Sequence, residues 1–230
     1  MTSSRASRPI PLALTALVAF FAALAALAVS NGHAAHAHSH PTAPVANPTA
    51  TAKAAALRAD LRVLWEDHIT WTRLAIISLT TDSPDTQATV ARLLRNQTAI
   101  GNAVKPFYGK QAGSTLTAEL RTHILVAADV VAAAKAGDAV KLAAAQARWQ
   151  QNANAIARVL ATLNPRFWKL PALKEEMRRH LELTTEETVA RLKGDWAADV
   201  AAYDTIHHHI LHLSDLLADG IVAQFPRRFR

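Results

Sequence analysis

Eleven histidines and no cysteine among 230 residues place the chain's capacity for metal and proton chemistry in one kind of side chain. Neutral imidazole ligates copper, nickel and zinc, and it titrates closer to neutrality than any other side chain. Four of the eleven fall in one segment, His207, His208, His209 and His212. His208 and His212 stand at i and i+4, the helical spacing at which two imidazoles chelate one ion. Asp204, Asp215 and Asp219 continue their stripe at steps of three and four, away from Leu213, Leu217 and Ile221. No glutamate follows the metalloprotease pattern between the two histidines, and the same stripe also reads as a solvated, pH-sensitive polar face. Four more, His33, His36, His38 and His40, lie in HAAHAHSH. On an unstructured segment they bind such ions weakly, copper first, or serve only as spacer.

The remaining three stand alone, each on an apolar stripe. His68 shares one with Leu61, Leu64, Trp65 and Ala75, His123 with Leu116, Leu120, Ala127 and Val131, and His180 with Leu173, Met177 and Thr184. His207 falls between Tyr203 and Ile210, on the expected inner face of the last helix. One inward imidazole from each of four helices is how bundles build metal and haem sites. Glu119 and Glu176 stand one turn before His123 and His180, near enough to ligate or orient them. The spacing is Glu-x-x-x-His, however, whereas di-iron bundles use Glu-x-x-His with further carboxylates facing it. A histidine on an apolar stripe can equally be a core residue whose ring nitrogens bond to neighbours. A shared mononuclear site requires His123 and His180 nitrogens within about 7 Å of each other.

Helices must position these groups. Half the residues are hydrophobic, only 6% are aromatic and seven are glycine, a helix-forming composition. A first helix is predicted over Thr51 to Thr80, and Asp82-Ser83-Pro84-Asp85 starts a second that ends near Val104. PFYGKQAG reads as a loop, with Ser114 capping a third helix. Gly137 and Gly194 sit where left-handed terminal residues belong, and Asp138 and Asp195 follow as N-caps. A fourth helix spans Ala139 to Leu163, a fifth opens at Pro171 and a sixth runs from Trp196 towards Phe225. No stretch alternates with a strand period, so the fold class is all-α. Residues 119–138 and 176–195 share six identities in twenty, and Arg92, Asn96, Ala99 and Ile100 recur as Arg148, Asn152, Ala155 and Ile156. This internal duplication predicts a pseudo-two-fold, up-and-down bundle of about six helical segments. At helical spacing, Trp65, Trp71, Trp149, Trp168 and Trp196 read as core more readily than as a ligand pocket.

The stretches LWEDHITWTR, RLLRN, KPFYG and GIVAQFP resemble a family of small bacterial helical-bundle proteins. The resemblance runs from about Leu61 to Pro226. It implies a helical bundle and transfers no activity and no catalytic residue. That family's pattern is not rich in histidine where this chain has His207, His208, His209 and His212.

Arg5 and Arg8 precede the apolar run Ile10 to Val29, with small residues at Ala28-Val29-Ser30 and Ala35-His36-Ala37. Residues 1–37 thus read as a secretory signal peptide or, uncleaved, as an N-terminal membrane anchor. Residues 38–50 read as a linker, 51–225 as the bundle and 226–230 as a basic tail. The formal charge of +7 would suggest nucleic acid. Setting aside the signal arginines and Arg227, Arg228 and Arg230 leaves 20 basic against 18 acidic residues, too even for a nucleic-acid face. Glycine-rich phosphate loops, a nucleophile elbow and cysteine chemistry are all missing from the sequence. The expectation is an extracytoplasmic binding protein rather than an enzyme, taking copper, nickel or zinc. The other reading is a structural or interaction module meeting an envelope polymer or protein, in which the core histidines only pack.

Overall fold

The computed structural model describes residues 51–230. The expected signal peptide and linker, with His33, His36, His38 and His40, lie outside the described residues. Five helices carry the remainder: α1 (Ala52–Thr81), α2 (Thr86–Ala136), α3 (Ala139–Leu163), α4 (Leu170–Lys193) and α5 (Trp196–Gln224), closed by a 3-10 turn, Pro226–Phe229. The described residues are all-helical. None of their helices is long and apolar enough to cross a membrane.

Local chemistry sets the boundaries. The Thr51 hydroxyl accepts from the Ala54 amide to start α1, and the carboxylates of Asp138 and Asp195 accept from Lys141 and Ala198 amides to start α3 and α5. The left-handed ends predicted at Gly137 and Gly194 are present, with φ of 72° and 71°. A third stands at Asp82, φ 54°, where an aspartate tolerates the conformation. At each, the next amide bonds back across five residues: Ser83 to Ser78, Asp138 to Ala133 and Asp195 to Ala190, at 3.0–3.1 Å. This cap therefore recurs three times among the described residues, once more than the matched sequence pairs show. The first of these caps escapes a sequence match because it uses aspartate where the others use glycine.

The expected loop PFYGKQAG is instead helical on both sides of a single residue. Gly109, at φ 88° and ψ 168°, is the one non-helical position inside α2, and there the chain doubles back on itself. Arg121 Nη1 donates to the Leu94 carbonyl at 3.1 Å across the two arms. The arms touch so closely that a Cβ on Gly101 would lie 2.6 Å from the Gly113 oxygen. Ser114 consequently lies within the helix and caps nothing. A Pro-Phe-Tyr-Gly signal marks the break correctly, but one glycine suffices to make it, because that region of backbone space is open to glycine alone.

Helix pairing buries one continuous core of Leu, Ile, Val and Ala with Trp65, Trp149 and Trp168, whereas Trp196 stays 58% exposed. The end at Gly109 is closed by aromatic packing: Phe107 stacks on Phe229, and Tyr108 packs on Trp168 and Phe225. The expected basic tail is docked there, with Phe229 buried and Arg228 Nη1 donating to the Pro106 carbonyl at 2.6 Å. Nothing crowds a Cβ at Gly109, so Gly109→Ala tests backbone strain alone. It is expected to lower the unfolding free energy by about 1–3 kcal/mol in urea titration, and an unchanged midpoint would refute the tight reversal.

Candidate functional site

Three of the four histidines expected inside meet in the core. His68 from α1, His123 from α2 and His180 from α4 are 2%, 3% and 5% exposed. The His180 ring centroid lies 6.0 Å from that of His68 and 5.7 Å from that of His123. The fourth inward ring is His209 on α5, stacked on His180 at 6.1 Å and 20°. It replaces His207, which the sequence placed inside. Ile206, Ile210 and Leu213 fix the buried face of α5, and residue 209 lies one turn from 206 and 213, on that face. His207 points to the side, its Nε2 2.7 Å from Glu66 Oε1.

Hydrogen bonds set the tautomers of two rings. The Gln97 amide donates to His68 Nδ1 at 3.2 Å, which leaves the His68 proton on Nε2. His123 Nδ1 donates to Asn152 Oδ1 at 2.9 Å. Its Nε2 therefore carries an unshared lone pair, and that atom is buried without a partner. Asn152 is itself fixed by donating to the Glu119 carbonyl at 3.1 Å and to Glu119 Oε2 at 2.9 Å. Glu119 thus orients Asn152, which orients His123, and the carboxylate does not face the cluster. His180 Nδ1 and His209 Nε2 are likewise buried and unpartnered.

Burial keeps these rings neutral. It lowers His68 to about 3, helped by the nearness of His123 and opposed by the Gln97 bond. It lowers His123 to about 4 and His180 well below its ordinary value, where His123, His68 and His209 add to the effect. His209 is lowered by burial against the pull of Glu176. Glu176 marks the outer edge of the cluster, its carboxylate oxygens 3.6 Å from His209 Nδ1 and 3.9 Å from His212 Nε2.

The stripe on α5 does not assemble as a chelate. His208 Nδ1 turns onto the carbonyl of Asp204 in its own helix at 2.6 Å. Asp215 takes Arg62 at 2.7 Å and Asp219 takes Arg58, both from α1. Two of the stripe's acids therefore tie helices together. Among the described residues, no group of three or more His, Asp or Glu side chains stands ready to hold a metal ion. Two small cavities flank the imidazoles. One of about 30 Å³ is lined by the three core histidines with Trp65, Trp168 and Met177. The other, of about 40 Å³, lies against Thr72, Trp149, Thr184 and Thr188. Each has room for about one water molecule.

One polar constellation carries no sequence signal at all. Arg73 on α1 reaches Glu187 on α4 at 2.7 Å and Asp199 on α5 at 2.8 Å, and Arg191 takes the other Asp199 oxygen at 3.1 Å. Glu187 and Asp199 are 0% and 1% exposed. Burial raises Glu187 to about 7 against the pull of Arg73. Burial also acts to raise Asp199, but its bonds to Arg73 and Arg191 outweigh this and hold it below the usual carboxylate value. Tyr203 and Trp196 lie under the two guanidinium groups. The four charges come from three helices, and apart from the i, i+4 step between Glu187 and Arg191 no spacing links them, so only the fold brings Arg73 and Asp199 to that pair.

Two measurements test these electrostatics. His68, His123 and His180 have folded pKa values below that of the unfolded chain, so the unfolded state binds more protons below about pH 6.5. Each ring then removes about 1.4 kcal/mol per pH unit on acidification towards its folded pKa. Glu187 runs the other way. Its raised folded pKa gives stability that is fully present below about pH 4.5 and lost as pH rises through about 7, offsetting one ring of the three. The urea midpoint is expected to fall from pH 6.5 to 4.5, and a flat profile would show that the rings are not buried neutral. Arg73→Met, which strands Glu187 and leaves Asp199 with Arg191 alone, is expected to cost about 3 kcal/mol at pH 7, with partial recovery at pH 5 as Glu187 protonates.

Comparison of the chain with protein-family models, with curated proteins and with solved structures gave no match.

Proposed function

We propose that the protein is an exported binding protein that takes one ion of the copper, nickel or zinc class at its core imidazoles, with His123 and His180 as first ligands and His209 as a third, while His68, whose Nδ1 is taken by Gln97, packs beside them. The observation that carries this reading is His123. Its Nδ1–H is held by Asn152, which Glu119 fixes in turn, and its Nε2 is left buried with a free lone pair. Metal-bound imidazoles are oriented in this way, through the nitrogen that does not ligate. A tetrahedral site with bonds of about 2.0 Å puts imidazole centroids about 5 Å apart, slightly closer than the 5.7 and 6.1 Å that separate His180 from His123 and His209. The donors do not yet converge. Binding therefore requires the His180 ring, whose Nδ1 has no partner, to turn about its Cβ–Cγ bond, which exchanges a carbon for a nitrogen within the same volume.

The three hairpins are read as copies of one unit, each contributing one histidine from its first helix. His68, His123 and His180 then hold equivalent places, and a polar residue on each second helix faces its partner: Gln97 and Asn152 by a hydrogen bond and His209 by stacking. Export follows from the reading of residues 1–37. The competing reading is a structural or interaction module of the cell envelope, and the Gln97 and Asn152 bonds favour it, since they would also pin rings that only pack.

Titration separates the two. On a chain with the linker histidines changed to alanine, calorimetry with zinc, nickel and copper is expected to show one ion bound more tightly than about 0.1 mM, equivalent to a binding free energy near 5.5 kcal/mol. His180→Leu should abolish this binding, and the double change His208→Ala with His212→Ala should leave it intact. Cobalt added as a probe should give the visible bands of a tetrahedral site. If His180→Leu stabilises the bundle and neither heat nor colour accompanies metal in the parent, the imidazoles only pack.

A further inference from the structure

Unpaired cations of the bundle gather at one of its two ends. At one end α1 begins, α2 doubles back at Gly109, α3 ends, α4 begins and α5 runs into the closing turn. These pieces are bound to one another: Tyr108 Oη donates to Gln224 Oε1 at 2.7 Å, Gln224 Nε2 to the Leu163 carbonyl at 3.2 Å and Lys53 Nζ to the Arg230 main-chain oxygen at 2.9 Å. Lys110, Arg166, Lys169, Lys174, Arg227 and Arg230 are all exposed there. Among the described residues none of the six pairs with a side-chain carboxylate; the ion pairs engage other cations. The turns at the opposite end carry Asp82, Asp85, Asp138 and Asp195 together with Lys135, Lys141 and Lys193, and Lys135 and Lys141 pair with Asp82 and Asp138, so that end is close to balance.

Two further features mark the basic end as a surface that meets something. Phe167 is 39% exposed, with the Arg166 guanidinium 5.3 Å from its ring. An aromatic body beside a cationic head is the pairing that sits well at the boundary between lipid tails and headgroups. At the same end a recess of about 260 Å³ opens between Gln224, Phe225, Arg227 and Arg228, with two cations in its lining, as a phosphate-bearing headgroup requires. Residues 1–50, with the apolar run Ile10 to Val29, join the bundle at this same end, through Thr51.

We infer that this basic end is a docking surface for an anionic phospholipid membrane, with the opposite end directed away. Unpaired lysines and arginines near such a surface each add attraction, and the contributions accumulate over a cluster. The docked C-terminal turn is what assembles the cluster. Phe229, buried against Phe107, brings Arg227 and Arg230 alongside cations from the α3–α4 connection.

Vesicle flotation with the full chain tests this. The N-terminal apolar run would give binding that does not depend on lipid charge, so the decisive quantity is the gain on vesicles containing phosphatidylglycerol over vesicles of phosphatidylcholine alone. About tenfold stronger partitioning is expected on the anionic vesicles at 50 mM salt, falling towards the neutral value at 0.5 M, where the Debye length is only a few ångströms. The combined change Arg166→Glu, Lys169→Glu and Arg227→Glu, with helix content unchanged by circular dichroism, should remove the gain and leave the neutral-vesicle baseline. Equal partitioning of the parent on both vesicles would overturn the proposal. So would a gain that survives the triple change, and so would retention on soluble polyphosphate without any vesicle gain, which would point to an envelope polymer.

Discussion

Three imidazoles taken out of water and kept neutral are the constraint around which this bundle is arranged. Burial drives their pKa values down, so the fold can hold them only as uncharged rings, each with one donor and one acceptor to satisfy. Two are served by neighbours placed for the purpose. Gln97 also bonds the Leu93 carbonyl, and Asn152 also bonds Glu119, so neither amide is free to turn away. The remaining ring nitrogens are enclosed by Leu, Ile, Met and Trp. A buried polar atom without a partner costs about 1–3 kcal/mol, and His123, His180 and His209 each carry one. A core built only for packing would lower that cost by placing leucine at any of these positions.

The helices were legible because they are punctuated by local chemistry. Asp138 and Asp195 bond the amides that an N-cap should, and Gly137 and Gly194 adopt the left-handed backbone that their place demands. The same logic found the break near Pro106 but not its form, because a loop and a one-residue reversal leave similar marks in sequence. His68, His123 and His180 could be placed inside because each shares a stripe with large apolar residues. His207 could not be told from His209 in the same way. Three consecutive histidines lie at 100° steps around a helix, and the apolar neighbours Tyr203 and Ile210 bracket more than one of them. The exposed, carbonyl-bonded His208 and the α1-paired Asp215 show why an i, i+4 pair on a polar stripe is weak evidence. Its partners are drawn off by whatever helix packs alongside.

What stayed out of reach of the sequence shares one property: it joins residues far apart in the chain. Arg73 finds Asp199 across 126 positions, and no periodicity encodes that distance. The network is costly in isolation, since Glu187 and Asp199 are both buried, and Arg73 and Arg191 hold charge against them. It ties the second half of α1 to the end of α4 and the start of α5. The core imidazoles lie further along the same helices, between this network and the aromatic closure at Trp168. Fixing both ends of that interval limits how far the helices can slide.

The charge count takes on a different meaning once it is placed in space. A surplus of cations spread over a surface implies little, and the near balance of the bundle, setting its tail aside, argued against a nucleic-acid face. The docked tail changes the distribution rather than the sum. Phe229 anchors it by burying an aromatic ring, so its arginines are held at one end of the molecule instead of moving through solvent. Acidic caps at the opposite turns follow from a separate requirement, since aspartate is a favoured N-cap and Asp138 and Asp195 fill that role there. Lys135 and Lys141 answer Asp82 and Asp138 at those turns, so that end stays close to balance while the docked turn gathers unpaired cations at the other. The direction of the bundle along its axis therefore comes from the docked turn, at the end where the rest of the chain attaches.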